Sequence, residues 1–253
     1  MSALARLVLL LSVVGLSTSQ GLLPAYGSNL DQDDVALVDS VGTNQICFHR
    51  NTASVDSLRP LIIDRIKLAV REIDAVVLVE NVEFRVLVFP ERTLPEKGMS
   101  GVAPNGEQIY ILLDPDHPRL QKSIADEMVA TIAHEYHHTL RKRTVGFGTN
   151  LFEAIISEGL AEHFCMEVTG EDPPWANQIP DEELAPWRAR AEQEWFQPEY
   201  NYFAWFVGIG TEFPRGTGYS IGRNIVAEYL AAHPGVRASM LYSTPADEFF
   251  PRQ

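Results

Sequence analysis

The chemistry in this chain centres on His134-Glu135-Tyr136-His137-His138. Residues four apart on a helix lie on one face, one turn above each other. Two imidazoles at that spacing can grip one metal ion, and Glu135 can reach a water held there. His137 is three residues after His134 and could share the face. The motif favours His138 and leaves His137 as a bystander or a supporting donor. The alternative is a solvated polar helix face without metal, but that alternative has no need of a glutamate in second place. A hydrolytic zinc site takes three protein ligands and keeps one position open. No H-x-x-G-x-x-H continuation follows His138. The next helical segment instead carries Ser157-Glu158-Gly159-Leu160-Ala161-Glu162-His163, with Glu158 placed 20 residues after His138. A turn between them would pack the two helices together and aim Glu158 at the histidine pair. Glu162, one turn further on, is either solvated or accepts the Nδ1–H of a ligating histidine. His163 points elsewhere and is read as a non-ligand. The expected set is His134, His138 and Glu158 on Zn2+, with Glu135 as general base; the alternative for Glu158 is a plain surface glutamate on an amphipathic helix.

These residues need two helices to carry them. One is expected over about 121–141, with Ile124, Met128, Ile132 and Leu140 on its apolar face. The second covers about 151–168 and stops at Gly170, and Gly146–Asn150 turns the chain between the two. Upstream, residues 56–75 repeat apolar positions at helical spacing from Leu58 to Ile73. Two strands follow, at 84–89 and 108–113, with a Gly/Pro-rich loop from 95 to 106 between them. Residues 31–55 are irregular in pattern. Downstream, Asp181 is a candidate cap for a helix at 182–196, and a last helix runs from near Ser220 to Ala232. The aromatics Trp195, Phe196, Tyr202, Trp205 and Phe206 read as core. A small strand region followed by a mainly helical part argues an α+β single domain.

A helix bearing H-E-x-x-H, followed at this distance by a helix bearing Glu-x-x-x-acid, resembles the gluzincin zinc metallopeptidases. That resemblance implies a zincin-like fold, Glu158 as third ligand, and Glu162 supporting a ligand histidine, although many members of the group have Asp there. The run Leu151–Phe164 and the later Gly218-Tyr219-Ser220-Ile221-Gly222 resemble a bacterial family of predicted zinc-dependent proteases. The resemblance covers roughly residues 56–232 and implies cleavage of a peptide or protein substrate. In zincins an edge strand aligns the substrate, and Gln108–Leu113 is the candidate here, with ordinary core pairing as its alternative. Tyr219 could donate to the developing oxyanion, or simply pack. Two other functions share the site: a zinc-binding protein on a zincin scaffold without catalysis, and a zinc hydrolase of a non-peptide amide or ester.

The N-terminus has a separate message. Arg6 precedes an apolar run, Leu7–Leu16, and then Ser17-Thr18-Ser19. This reads as a signal peptide over 1–19, with an uncleaved anchor as the alternative. The expected organisation is 1–19 signal peptide, 20–55 irregular segment and 56–253 metallopeptidase domain, exported to the periplasm or medium. The run is about half a membrane span, so stable membrane insertion is not expected. A formal charge of -14 argues against nucleic acid as a partner. The Arg141-Lys142-Arg143 cluster ends a helix, complements its dipole and is given no binding role. Cys47 and Cys165 could pair in an exported chain, or Cys165 could be a small buried thiol.

Overall fold

The computed structural model describes residues 34–250, apart from 174, 176–178, 198 and 209–210. The expected signal peptide at 1–19 lies outside the described residues.

The chain opens with a hairpin of β1 (Val35–Val41) and β2 (Asn44–His49), then a 3-10 segment (Arg50–Leu58) and α1 (Arg59–Asp74). Strands β3 (Glu83–Val88), β4 (Met99–Val102) and β5 (Gln108–Leu113) follow. The helical part holds α2 (Leu120–Lys142), α3 (Leu151–Thr169), α4 (Asp181–Glu194) and α5 (Thr217–Ala232). A short π-helical turn (Phe203–Val207) precedes α5. Strands interrupted by α1 thus come first and the other helices after, in keeping with the α+β class expected.

The five strands lie in the order β1-β2-β3-β5-β4. The inner three run parallel, and β1 and β4 are antiparallel edges. Strand alternation sorts the side chains. Ile46, Phe48, Phe84, Val86, Ile109, Ile111 and Leu113 join α1 and α2 in one core. Leu87, Tyr110 and Leu112 form a small cluster on the other face. α1 closes the core with Ile62, Ile66 and Ile73, each fully buried and each contributing about 1.5–3 kcal/mol by that burial. Three expectations are corrected here. Residues 31–55, read as irregular, contain β1 and β2. A register shift between Leu37 and Asp39 breaks the alternation that would have marked β1. The loop read at 95–106 contains β4. Asp181 does not cap α4: the cap position is Pro180, without a side-chain hydrogen bond.

Both cysteines are buried and free. Cys165 sits in the α1/α2 core, while Cys47 alternates with the core-facing Ile46 and Phe48 and so points to the opposite face. The sheet stands between them, and burial keeps both thiols protonated, with Cys47 pushed up to about 11.

α3 is buried around nearly its whole circumference. Phe164, Cys165 and Val168 face the sheet-side core, whereas Leu151, Ile155 and Leu160 face a second core built with α4, α5 and the chain end. Asn150 caps α3 by accepting from Glu153 N at 3.0 Å, and Glu153 reaches back to Thr149 N at 2.5 Å. Gly170, in the left-handed region, ends it. Where α3 crosses α5 the helices touch through Gly159 and Gly222. A Cβ on Gly159 would lie 2.2 Å from the Gly222 carbonyl oxygen, so only glycine permits the approach. No helix among the described residues is long and apolar enough to cross a membrane.

Candidate metal centre

α2 delivers His134 and His138 from successive turns. Their Nε2 atoms are 3.0 Å apart. α3 brings Glu158 Oε2 to 3.0 Å from His134 Nε2 and 3.2 Å from His138 Nε2. All three side chains are buried, and among the described residues they form the one cluster with metal-ligand geometry. A tetrahedral zinc ion with bonds of about 2.0–2.1 Å holds its ligand atoms about 3.3 Å apart. The observed triangle is close to that. Two imidazole lone pairs facing each other repel unless a cation or a proton lies between them. The electrostatics agree. Burial disfavours charge on His134, yet Glu158 and Glu162 outweigh it and raise its pKa well above the ordinary imidazole value. Burial likewise opposes charge on Glu158, but His138 and His134 hold its carboxyl far below the usual range. The cluster therefore favours positive charge at its centre, and its donor set fits zinc.

Around the triangle, several groups fix the ligands. Glu162 Oε1 lies 3.4 Å from His134 Nδ1. Trp175 Nε1 donates to that same oxygen at 2.8 Å. Tyr202 Oη donates to Glu158 Oε1 at 3.2 Å, leaving Oε2 for the histidines. Tyr219 lies with its ring centroid 6.2 Å from that of His134. Burial raises the pKa of both Tyr202 and Tyr219, so each phenol keeps its proton as a donor. The π-helical turn supplies Phe206, which stacks on Tyr202 and meets Tyr219 edge-on. Gly218 makes room for that ring, because a Cβ there would lie 2.4 Å from Phe206.

Glu135 points to the sheet edge. Its Oε2 accepts from Ala103 N at 2.9 Å, just beyond β4. A Cβ on Gly101 would lie 2.6 Å from Glu135 Cγ, so glycine lets β4 run against α2. Lys142 Nζ donates to the Ala103 carbonyl and fixes the same end of the strand. Gln108–Leu113, expected as the substrate-aligning edge, is paired on both sides, with β3 and β4. The edge is β4. Asp114 N donates to Gly98 O, and the register continues from there, so the N–H and C=O of Gly101 face outward.

The other residues of the motif are structural. Tyr136 Oη donates to Leu78 O at 2.7 Å and ties α2 to the segment ahead of β3. His137 is buried against Phe164, outside the cluster. His163 engages the Arg223 carbonyl at 2.9 Å rather than the cluster. In the basic run, Arg141 is buried and donates to Ser157 Oγ and Thr244 O, and Arg143 donates to Gly106 O. Phe196, expected in the core, is 62% exposed. Tyr202, Trp175 and β4 are not marked as parts of the site by the sequence pattern. Trp175 had one signal, being the lone aromatic between residues 171 and 181.

A model of the family described as "Predicted Zn-dependent protease (DUF2268)" matches residues 65–251, a span that contains the whole cluster. Among solved structures, an aminopeptidase N family protein from Idiomarina loihiensis is similar over 85% of this chain and 40% of its own, at 12% identity and a TM-score of 0.42. No curated protein matches the chain.

Proposed function

The chain belongs to the DUF2268 family of predicted Zn-dependent proteases, and we propose that it is an exported metallopeptidase in which His134, His138 and Glu158 hold zinc and Glu135 is the general base. The observation that carries this reading is the placement of Glu135. Its carboxylate accepts from Ala103 N at 2.9 Å, which holds it at the end of the edge strand β4, on the residue next to the ligand His134 in α2.

Bound zinc supplies Lewis acidity, which brings a water's pKa near neutrality and polarises a carbonyl. The remaining work falls to side chains of this chain. Glu135 accepts the proton of the attacking water at its carboxylate and passes it to the leaving amine. An extended peptide adds to β4 through the outward N–H and C=O of Gly101, which sets its scissile bond beside Glu135. Tyr219, kept protonated by burial, donates to the oxygen that gains charge. Tyr202 holds Glu158 in place for the metal. Burial of both histidines and Glu158 excludes bulk water and strengthens each of these contacts. Export is supported by the Arg6, Leu7–Leu16 and Ser17–Ser19 pattern.

Mass-spectrometric profiling of a broad peptide library tests the proposal. Zinc-loaded protein is expected to cleave peptides; a chelator should abolish cleavage and added zinc restore it. Zinc-loaded protein that leaves every peptide intact contradicts the peptidase reading and favours a zinc scaffold or a hydrolase of other amides and esters.

A further inference from the structure

We infer that Trp175 is a positioning residue for the metal centre, acting through Glu162 on His134 and itself held by Lys97. The inference rests on the zinc-site reading above and extends it to a part of the chain outside both helices.

The geometry forms one connected series. Trp175 Nε1 donates to Glu162 Oε1 at 2.8 Å, and that oxygen lies 3.4 Å from His134 Nδ1. The Trp175 ring also lies near His134 itself, with centroids 6.3 Å apart. On the indole, Lys97 Nζ sits 4.1 Å from the ring centroid. Lys97 is 4% exposed, which is rare for a lysine. Its charge is balanced by Glu127 at 3.7 Å, which Arg119 approaches from the other side at 3.6 Å. Lys97 lies two residues before β4, so the series starts at the substrate edge and ends on a metal ligand.

Glu162 explains why such support is needed. Its side chain is only 1% exposed, and its Oε2 has no hydrogen-bond partner among the described residues. A buried carboxylate with so few partners takes its orientation from the donors it has. Among the described residues, Trp175 is the one donor that meets full hydrogen-bond geometry. A cation over the indole face draws density from the ring and strengthens the N–H donor. To either side of Trp175 in sequence, Asp172 accepts from Arg223 at 2.5 Å and Ile179 is buried.

The test measures zinc affinity by chelator competition, and the visible spectrum of the cobalt-substituted protein, for the wild type, Trp175→Phe, Lys97→Met, Glu162→Ala and Trp175→Phe/Glu162→Ala. Trp175→Phe is expected to weaken zinc about tenfold, the lower end for outer partners of a ligand, and to shift the cobalt bands. Lys97→Met, which keeps the stem, should weaken zinc about threefold. In the Glu162→Ala background, Trp175→Phe should add nothing, because its effect passes through that carboxylate. A purely structural tryptophan would lower the thermal midpoint of the metal-free protein and leave the cobalt spectrum alone. Unchanged affinity in Trp175→Phe, or the same loss with and without Glu162, overturns the inference. If Trp175→Phe does not fold, Lys97→Met decides, and wild-type affinity in that variant overturns it. None of these readouts needs peptide cleavage. Wild-type protein that takes up no zinc overturns the proposed function and this inference together.

Discussion

The α2/α3 pair and the rim around it are built by different rules. The pair is buried: His134, His138 and Glu158 project from helices packed into two hydrophobic cores. Their relative positions follow from the helical repeat and one short turn. The rim consists of β4, the Trp175 segment and the π-helical turn with Tyr202. Its residues meet the centre only because distant stretches are brought together, as when Gly101 abuts Glu135 or Tyr202 reaches Glu158. In the proposed reading the pair supplies the metal's ligands, Trp175 and Tyr202 brace those ligands, and β4 governs what is done with the metal.

Substitutions can break that division or sharpen it. The largest effect is expected from Glu158→Ala, which removes one corner of the triangle and its buried negative charge. Zinc measured by atomic emission should fall to background, and stoichiometric zinc would break the assignment. Next is Gly101→Val. The new side chain strikes Glu135 Cγ and moves the strand edge, and a displacement of about 1 Å at reacting groups costs roughly a hundredfold in rate. Zinc content should be unchanged in that variant, and its loss would show that β4 and the pair are not separable. Tyr202→Phe should be milder, weakening zinc affinity about tenfold by freeing Glu158 Oε1. Wild-type affinity there would demote Tyr202 to packing.

The same division explains what could be read from the residues alone. The i,i+4 histidines depend only on α-helix geometry, and α2 was expected at 121–141 against Leu120–Lys142 observed. α3 carried its own start and stop in Asn150 and Gly170. β5 had a clear run of Ile, Tyr and Leu ended by Asp-Pro. β4 had no such signal. Met99-Ser100-Gly101-Val102 is four residues long and holds a glycine, and it is a strand only because β5 offers a partner. Tyr202 lay in an aromatic stretch where packing is the better expectation, and most of that stretch does pack: Trp195, Trp205 and Phe206 are buried in the second core. Lys97 and Trp175 meet across 78 positions of sequence, and their stacking leaves no local pattern.

The central claim is that Glu135 works as a base beside a metal it does not hold. Zinc content and peptide turnover of Glu135→Gln, measured side by side on one preparation, test it most directly. Wild-type zinc is expected, with turnover reduced by about 10²–10⁴-fold, the range for a positioned general base. Undiminished turnover in that variant, or loss of its zinc, would contradict it.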